Sequence, residues 1–290
     1  MVYYLLLFMA ALLFGSQFMI VKGYERRSGV SVNAAALFSM ISGLSGFLIF
    51  FAANGFRLVF RGVSVWMALL LAAITVASNV LGIQALARGS IAVYSLFMML
   101  GGMTLPFLVG VLFLKEPLSA VRILGVVLLA AALALPAVSG RKRDGQPPQL
   151  LFYGLCAILF VLNGMSSVIC KLHQIHPDAV ETTGFMVLMY GWLFLLSALL
   201  YAVTGRKTRV QVNRQAIVLG MLFSVVNGTA AFCQLISARH VYASAQFPII
   251  TGGTMVFSLL LGFWIYRERP GRAQVGQIGL ACIATMLFLF

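Results

Sequence analysis

The stretch Ser139–Gln149, SGRKRDGQPPQ, is the most polar long segment of the chain and divides it near its midpoint. The sequence on both sides of it contains few charged residues. Over the 290 residues, 62% are hydrophobic and 9% are charged, whereas a soluble domain is typically about 45–50% apolar and about 25% charged. This composition excludes a water-soluble protein and an intrinsically disordered chain, and it predicts a protein that faces lipid.

Ten stretches of at least 18 residues contain no Asp, Glu, Lys or Arg, and the polar segment separates five from five. A helix needs about 20 apolar residues to cross a hydrocarbon core about 30 Å thick. Membrane barrels are not favoured, because their strands alternate apolar with polar residues. We therefore predict an all-α integral membrane protein with ten transmembrane helices. The charge-free stretches are residues 1–21, 28–56, 62–87, 89–114, 123–140, 145–170, 182–205, 215–238, 240–266 and 273–290.

The two halves of the chain carry matching motifs. Gly15–Lys22 reads GSQFMIVK and Gly164–Lys171 reads GMSSVICK, with the same spacing between Gly and Lys. Because five is an odd number of helices, the second copy must enter the membrane from the opposite side. The sequence therefore predicts two inverted five-helix repeats, residues 1–138 and 150–290, joined by the polar linker 139–149.

Inverted repeats are typical of secondary transporters, which bind their substrate near the middle of the membrane between the repeats. A channel is not favoured, because the sequence shows no ring of charges and no filter-like loop. An enzyme is not expected either, because a Ser/His/Asp set, an HExxH motif and an intramembrane Asp pair are all absent from the sequence. A carrier that works by alternating access is the expected function. A lipid flippase and a structural membrane protein remain compatible with the sequence.

Neither a metal nor another cofactor is predicted. The four cysteines have no CxxC or Cys/His spacing, and His173, His176 and Asp178 do not complete a tetrahedral site. The net charge of +14 is interpreted as a signal of membrane topology, so no nucleic-acid partner is expected. The expected partners are a small-molecule substrate and membrane lipids, and the expected oligomeric state is a monomer.

Three segments resemble a known family. The first span, LLFGSQFMIVK (Leu12–Lys22), is similar to the opening helix of EamA-type permeases in the drug/metabolite transporter superfamily, with Phe14 where that family often has Trp. VGVLFLKEPL…ILGVVLLAAAL (Val109–Leu133) and LLGFWIYRERP…IGLACIATMLF (Leu260–Phe288) resemble the closing helices of that family's repeats. The resemblance implies a multi-pass permease of a bacterial inner membrane. Its expected cargo is a small polar or amphipathic metabolite such as an amino acid.

The spans need no charged residue near mid-membrane, so a substrate site there would consist of neutral polar and aromatic side chains. Small multidrug-resistance proteins, which are relatives in that superfamily, exchange drug cations for protons at a carboxylate in their first helix. Phe14 and Gln17 occupy this region here, which disfavours such an exporter. The candidate substrate-binding residues are Phe14, Gln17, Asn79, Tyr94, Asn163, Ser167, Tyr190, Asn227 and Gln246.

More than one role is open to these residues. Buried amides often join membrane helices through hydrogen bonds, and each candidate could be such a structural residue. As binding residues, Asn79 and Asn227 would meet across the repeats, and Gln17 would pair with the neighbourhood of Asn163, to hold a zwitterion or a neutral metabolite. Alternatively, Tyr94 and Tyr190 would contribute to an aromatic cage for a quaternary amine of choline type.

Charged residues mark the ends of the spans. Lys22, Glu116, Lys171 and Glu268 are candidates for gates at opposite mouths of a cavity, and helix-end ion pairs are the alternative. Of the 20 Lys and Arg residues, 14 fall on one predicted side and 6 on the other. The positive-inside rule places the larger group in the cytoplasm and both termini outside, whereas the family resemblance implies both termini inside.

Overall fold

A computed structural model of the chain describes residues 2–88, 91–139, 150–204, 214–266 and 272–288. Within these residues the chain forms ten helices, and the connections that the structure describes in full are turns and loops. The helices are α1 (Val2–Ser28), α2 (Val32–Ala53), α3 (Gly62–Leu86), α4 (Ile91–Leu112), α5 (Ala120–Ser139), α6 (Leu150–Ile175), α7 (Thr182–Thr204), α8 (Arg214–Ala238), α9 (Ala243–Tyr266) and α10 (Arg272–Leu287). Apart from Ser139, the predicted linker lies outside the described residues.

Eight of these helices are long and apolar enough to cross a membrane, which confirms an all-helical, multi-pass integral membrane protein. The two others, α5 and α10, have shorter apolar segments within the described residues, Ala120–Leu135 and Ala273–Leu287. Large apolar side chains such as Phe8, Trp66 and Trp264 are exposed on the outside of the bundle. Water would disfavour this surface, whereas lipid solvates it.

Local sequence signals set the helix ends. Ser31 precedes α2, and its hydroxyl accepts a hydrogen bond from the N–H of Ala34 at 3.1 Å, as an N-cap residue does. Gly29 follows α1 with a φ of 76°, a backbone conformation that ends helices and that glycine adopts at little cost. These signals place a tight turn between α1 and α2, so the two helices run in opposite directions.

The large helix–helix interfaces join the two halves of the chain. Helix α2 packs on α7, α5 on α10 and α4 on α9. Helix α1 packs on α8 and α9, and α6 packs on α3 and α4. If each helix is replaced by its counterpart in the other half (α1 by α6, α6 by α1, and so on), the same set of interfaces results. The large contacts between helices are therefore mainly contacts between the two halves.

Glycines allow the closest of these approaches. A Cβ atom on Gly43 would lie 2.7 Å from the backbone nitrogen of Phe194, where α2 crosses α7. Gly46 in the same helix lies against the ring of Tyr190. The paired residues run in opposite order along the two helices, so α2 and α7 are antiparallel. Small residues commonly permit such contacts between membrane helices.

Residue contacts also show which helix ends lie together. The start of α1 meets the end of α8, where Ser237 donates a hydrogen bond to the carbonyl of Tyr3 at 3.2 Å. The end of α10 reaches the start of α5, where the ring of Phe288 lies beside Gly125. We call this end of the bundle the terminal face. It also carries the loops α2–α3 (54–61), α4–α5 (113–119), α6–α7 (176–181) and α8–α9 (239–242).

Candidate functional site

A cavity of about 280 Å³ opens on the terminal face, and we call it the terminal cavity. Its wall comes from the α4–α5 loop, from the end of α6 and from the α8–α9 loop. Charged and aromatic groups contribute to this wall together with aliphatic ones. The lining residues are Leu114, Glu116, Lys171, Ile175, Arg239, His240, Val241 and Tyr242.

The carboxylate of Glu116 caps the first turn of α9. Its Oε1 accepts the N–H of Ala243 at 2.7 Å, and its Oε2 accepts the N–H of Ser244 at 2.8 Å. The first N–H groups of a helix have no partner within the helix and lie at the positive end of its dipole. A buried carboxylate is therefore stabilised at this position. The α4–α5 loop that carries Glu116 turns at Lys115, which has a φ of 53°.

The ammonium of Lys171 binds backbone carbonyl groups at the end of α8. Its Nζ donates to the carbonyl oxygens of Ala238 and Val241, both at 2.7 Å. Ala238 is the last residue of α8, where helix carbonyls lack partners and a cation is favourable. The α8–α9 loop is thus anchored on one side by Lys171 and on the other by Glu116.

Arg239, on the same loop, is tethered by a polar network. Its Nε donates to Oε1 of Gln174 at 3.0 Å, and Thr182 donates to the same oxygen at 2.9 Å. The amide nitrogen of Gln174 must then donate to Nδ1 of His173, at 3.1 Å. His173 consequently carries its hydrogen on Nε2 and donates to the hydroxyl of Ser64 at 2.9 Å. Side chains from α3, α6, α7 and the α8–α9 loop are joined in this way.

A second, smaller cavity of about 90 Å³ lies at the opposite end of the bundle. Lys22, which matches Lys171 in the sequence, is one of its lining residues. The others are Met19, Ser258, Leu259, Gly262, Phe263 and Gln274. Three of the four gating candidates therefore line a cavity at one end or the other. The fourth, Glu268, lies outside the described residues.

The structure gives Asn79 and Asn227 separate partners. Asn79 donates to the hydroxyl of Ser39 at 2.9 Å, and Asn227 donates to the hydroxyl of Tyr190 at 3.3 Å. In both cases an amide bonds to the preceding helix of its own half. Two predicted binding residues, Tyr190 and Asn227, are thereby brought together. The ring of Tyr190 is stacked on Phe50 and is 1% exposed, so it offers no open face to a quaternary amine.

Asn163 and Ser167 lie together on α6, facing α4. Asn163 donates to the carbonyl of Met98 at 2.6 Å, and Ser167 donates to the carbonyl of Asn163 at 3.4 Å. Both side chains lie against Gly102, where a Cβ atom would come within 2.6 Å of the Asn163 amide nitrogen. A glycine on α4 therefore leaves room for the amide of α6.

Two amide oxygens on α1 and α9 have no hydrogen-bond partner among the described residues. They are Oε1 of Gln17 and Oε1 of Gln246, and both atoms are buried. The other end of the Gln246 amide donates to the carbonyl of Gln234 at 2.8 Å. An unpartnered buried acceptor is costly, and among the candidate binding residues these two amide oxygens are the buried acceptors without a described partner.

Phe14 and Tyr94 contribute to apolar packing. Phe14 lies against the cluster that contains Leu7 and Ile249. Tyr94 lies in the cluster around Phe152, with its hydroxyl close to Gly82. These two aromatic residues belong to different clusters and do not share a cage with Tyr190.

Sequence reasoning did not identify Arg239 or Gln174 as site residues. One signal could have found Arg239, because it is the only residue between the charge-free stretches 215–238 and 240–266. A single charge between two spans indicates a short turn with a cation at the membrane surface. Gln174 had no such signal, since its role depends on partners from three other elements.

Comparison with known proteins identifies the fold alone. No family model matches the chain, and no curated protein matches it. Solved structures do match. One crystal structure, 18% identical in sequence, superimposes with a TM-score of 0.78 over 98% of this chain and 95% of its own. The helical arrangement described above is therefore one that an experimentally determined structure shares over nearly its whole length.

Proposed function

We propose that this protein is an EamA-like secondary transporter that moves a small polar or amphipathic metabolite, such as an amino acid, across a membrane. In this proposal the two halves are inverted five-helix repeats and the cargo is carried by alternating access between them. The terminal cavity and the smaller cavity lined by Lys22, at the opposite end of the bundle, are the two mouths of the transport path.

The helix packing supports the repeat. Exchanging each helix for its counterpart five places away leaves the pattern of interfaces unchanged. The directions agree as well. Ala11 and Gly15 of α1 meet Gly253 and Phe257 of α9 in the same order, so these two helices are parallel. Their counterparts α6 and α4 are parallel too, since Gly101 meets Phe160 and Leu105 meets Gly164.

The observation that carries the proposal is the position of the matched lysines. Lys22 and Lys171 occupy the same place in the GxxxxxxK motif of each half, and each lines a cavity at its own end of the bundle. Inverted repeats generate two mouths of this kind around one central site. The cavity volumes differ, at about 280 and 90 Å³. A transition that exchanges the conformations of the halves would reduce the first volume and enlarge the second.

Counterflow in proteoliposomes tests this function. Purified protein is reconstituted into liposomes preloaded with one unlabelled amino acid, and uptake of the same labelled amino acid is followed for each member of a panel. We expect internal substrate to accelerate the uptake of at least one amino acid. Such acceleration indicates a carrier, because internal unlabelled substrate returns the binding site to the outside, where it can take up another labelled molecule. Uptake that is insensitive to internal substrate would instead indicate a channel, and no uptake of any panel member would contradict the proposal.

The neutral amides provide a second test of the site. Asn79→Ala and Asn227→Ala remove the hydrogen bonds to Ser39 and Tyr190. If these amides also contact the cargo, both variants should reduce counterflow at least tenfold while remaining monodisperse in detergent. Unchanged counterflow in both variants would leave the amides with a structural role and would refute their part in the site.

A further inference from the structure

The terminal cavity contains a positioned guanidinium. Arg239 is an exposed residue of the cavity wall, and its Nε is held by Gln174, which is 5% exposed. The oxygen of Gln174 accepts from both Arg239 and Thr182. If the side-chain amide of Gln174 were flipped, its NH₂ group would face the donors Arg239 and Thr182, and both hydrogen bonds would be lost. The Nε atom of Arg239 is therefore anchored to a buried network.

Arg239 differs from the other charged groups of the cavity in how its polar atoms are used. Both oxygens of Glu116 accept backbone N–H groups, and Lys171 donates to two backbone carbonyls. These two charges are committed to the ends of α8 and α9. For Arg239, the described residues provide one side-chain hydrogen bond, at Nε. Its two terminal nitrogens, with four N–H bonds, make no hydrogen bond to another described residue, and Arg239 is one of the residues that line the cavity.

The charge balance of the wall favours an anion. The lining contains two fixed cations, Lys171 and Arg239, and one carboxylate, Glu116. The carboxylate is further offset by the positive end of α9, which it caps. A planar guanidinium with two available nitrogens matches the two oxygens of a carboxylate and binds it through two parallel hydrogen bonds.

We propose that Arg239 binds the carboxylate of the transported molecule at the terminal cavity, so that the cargo class is carboxylate-bearing metabolites. This inference rests on the proposed transport function and narrows it. Free amino acids belong to the class, whereas their amides and simple amines do not. The Gln174 network acts as the positioning element for the guanidinium.

Ligand-induced stabilisation tests the inference without transport. Thermal unfolding of the purified protein in detergent is measured with each common amino acid and, in parallel, with its C-terminal amide. A ligand that binds only the folded state raises the melting temperature. We expect at least one free amino acid to raise it and the corresponding amide to bind at least about tenfold more weakly, because the amide lacks the charged acceptor.

Variants then assign the effect to the guanidinium. Arg239→Gln should weaken binding of the active amino acid about tenfold or more. Arg239→Lys should also weaken binding, because an ammonium cannot form two parallel hydrogen bonds with a carboxylate. Arg57→Gln is the matched control, since Arg57 is an exposed arginine on the α2–α3 loop of the same face and does not line the cavity. It should bind like the wild type. If the Arg239 variants fail to fold, the comparison of acids with amides in the wild type still decides.

Several outcomes would overturn the inference. They are equal stabilisation by acids and amides, the absence of stabilisation by any amino acid, and unchanged binding in a folded Arg239→Gln variant. The counterflow assay separates this failure from failure of the transport function. Carboxylate binding without counterflow contradicts the carrier and leaves the Arg239 site standing. Counterflow of amides and acids at equal rates contradicts the Arg239 site and leaves the carrier standing.

Discussion

Glu116 and Lys171 are two buried charges that stabilise helix ends by interacting with backbone groups. Each is less than 10% exposed, at 8% and 6%, and each compensates the dipole of a neighbouring helix. Among the described residues, no ion pair joins Glu116 to Lys171 or to the adjacent Lys115. Their effect is to fix the short α8–α9 loop, which supplies half of the terminal cavity wall.

The cap at α9 gives a prediction for Glu116→Gln. Glutamine retains one acceptor but loses the charge and one of the two hydrogen bonds. We expect the free energy of unfolding to fall by about 1–2 kcal/mol, measured as a lower melting temperature in detergent. Glu25→Gln is the control, because Glu25 is exposed on α1. A Glu116→Gln variant as stable as the control would show that the cap contributes little.

The sequence allowed the importance of these residues to be predicted, but not their partners. Lys171 and Glu116 stand out because charged residues are rare in the chain and lie at the ends of the charge-free stretches. Glu116 bonds to Ala243, 127 positions away, and Lys171 bonds to Ala238, 67 positions away. Contacts at such separations depend on how the helices pack, which local patterns do not specify. The sequence therefore left the gating and helix-end interpretations open.

At the scale of the helices, the boundaries follow the charges closely where the charge lies in a loop. The stretch 62–87 corresponds to α3 (Gly62–Leu86), and the stretch 182–205 corresponds to α7. Ending a helix at the first charged residue makes the predicted α1 and α6 too short, because these helices continue past Lys22 and Lys171. A lysine can remain within a helix when its ammonium reaches polar groups at the membrane surface, as Lys171 does.

Two glycine substitutions, one at the α2–α7 crossing and one away from it, should have different effects on stability. Gly43→Ala places a methyl group within 3 Å of backbone atoms of Phe194 and should lower stability by about 1–3 kcal/mol. Gly154→Ala, in α6, meets no atom within 4 Å and should be neutral or should raise stability by up to about 1 kcal/mol, since alanine favours helices. Thermal unfolding of both purified variants gives the comparison. Equal behaviour would mean that α2 and α7 separate easily.

At the scale of the whole molecule, the sequence predicts an unequal division of the 20 Lys and Arg residues between the two ends of the bundle. In the part of the chain that the structure describes, six of them lie at the terminal face: Arg57, Arg61, Lys115, Arg122, Lys171 and Arg239. The predicted topology assigns the other 14 to the opposite end. The positive-inside rule thus predicts that this face, with both chain ends, lies outside the cytoplasm. A pH-sensitive fluorescent protein fused to Phe290 tests the orientation. We expect its signal to respond to external acid, and a signal that responds only to cytoplasmic pH would reverse the assignment.

An all-helical membrane protein could be anticipated from the sequence, because apolar runs of this length have few other solutions in lipid. Which polar groups meet inside the bundle could not. Asn79 and Asn227 correspond loosely in the two halves of the sequence, yet the structure pairs them with Ser39 and Tyr190 rather than with each other. Small rotations of a helix decide which amide finds a hydroxyl, and hydropathy does not encode such rotations.

The packing of the two halves against each other has a consequence for how the molecule can be made. Helices α1, α2, α4 and α5 have their large interfaces with α6 to α10, so each half alone lacks the helices against which its close-packed faces fit. We expect residues 1–144 expressed alone to be degraded or aggregated, and the same fragment expressed together with residues 145–290 to assemble into a complex that copurifies and retains counterflow. If one fragment is stable and monodisperse by itself, the halves are independent folding units. If they assemble only together, folding and assembly are a single event, and a polypeptide cut between its halves behaves as an obligate heterodimer.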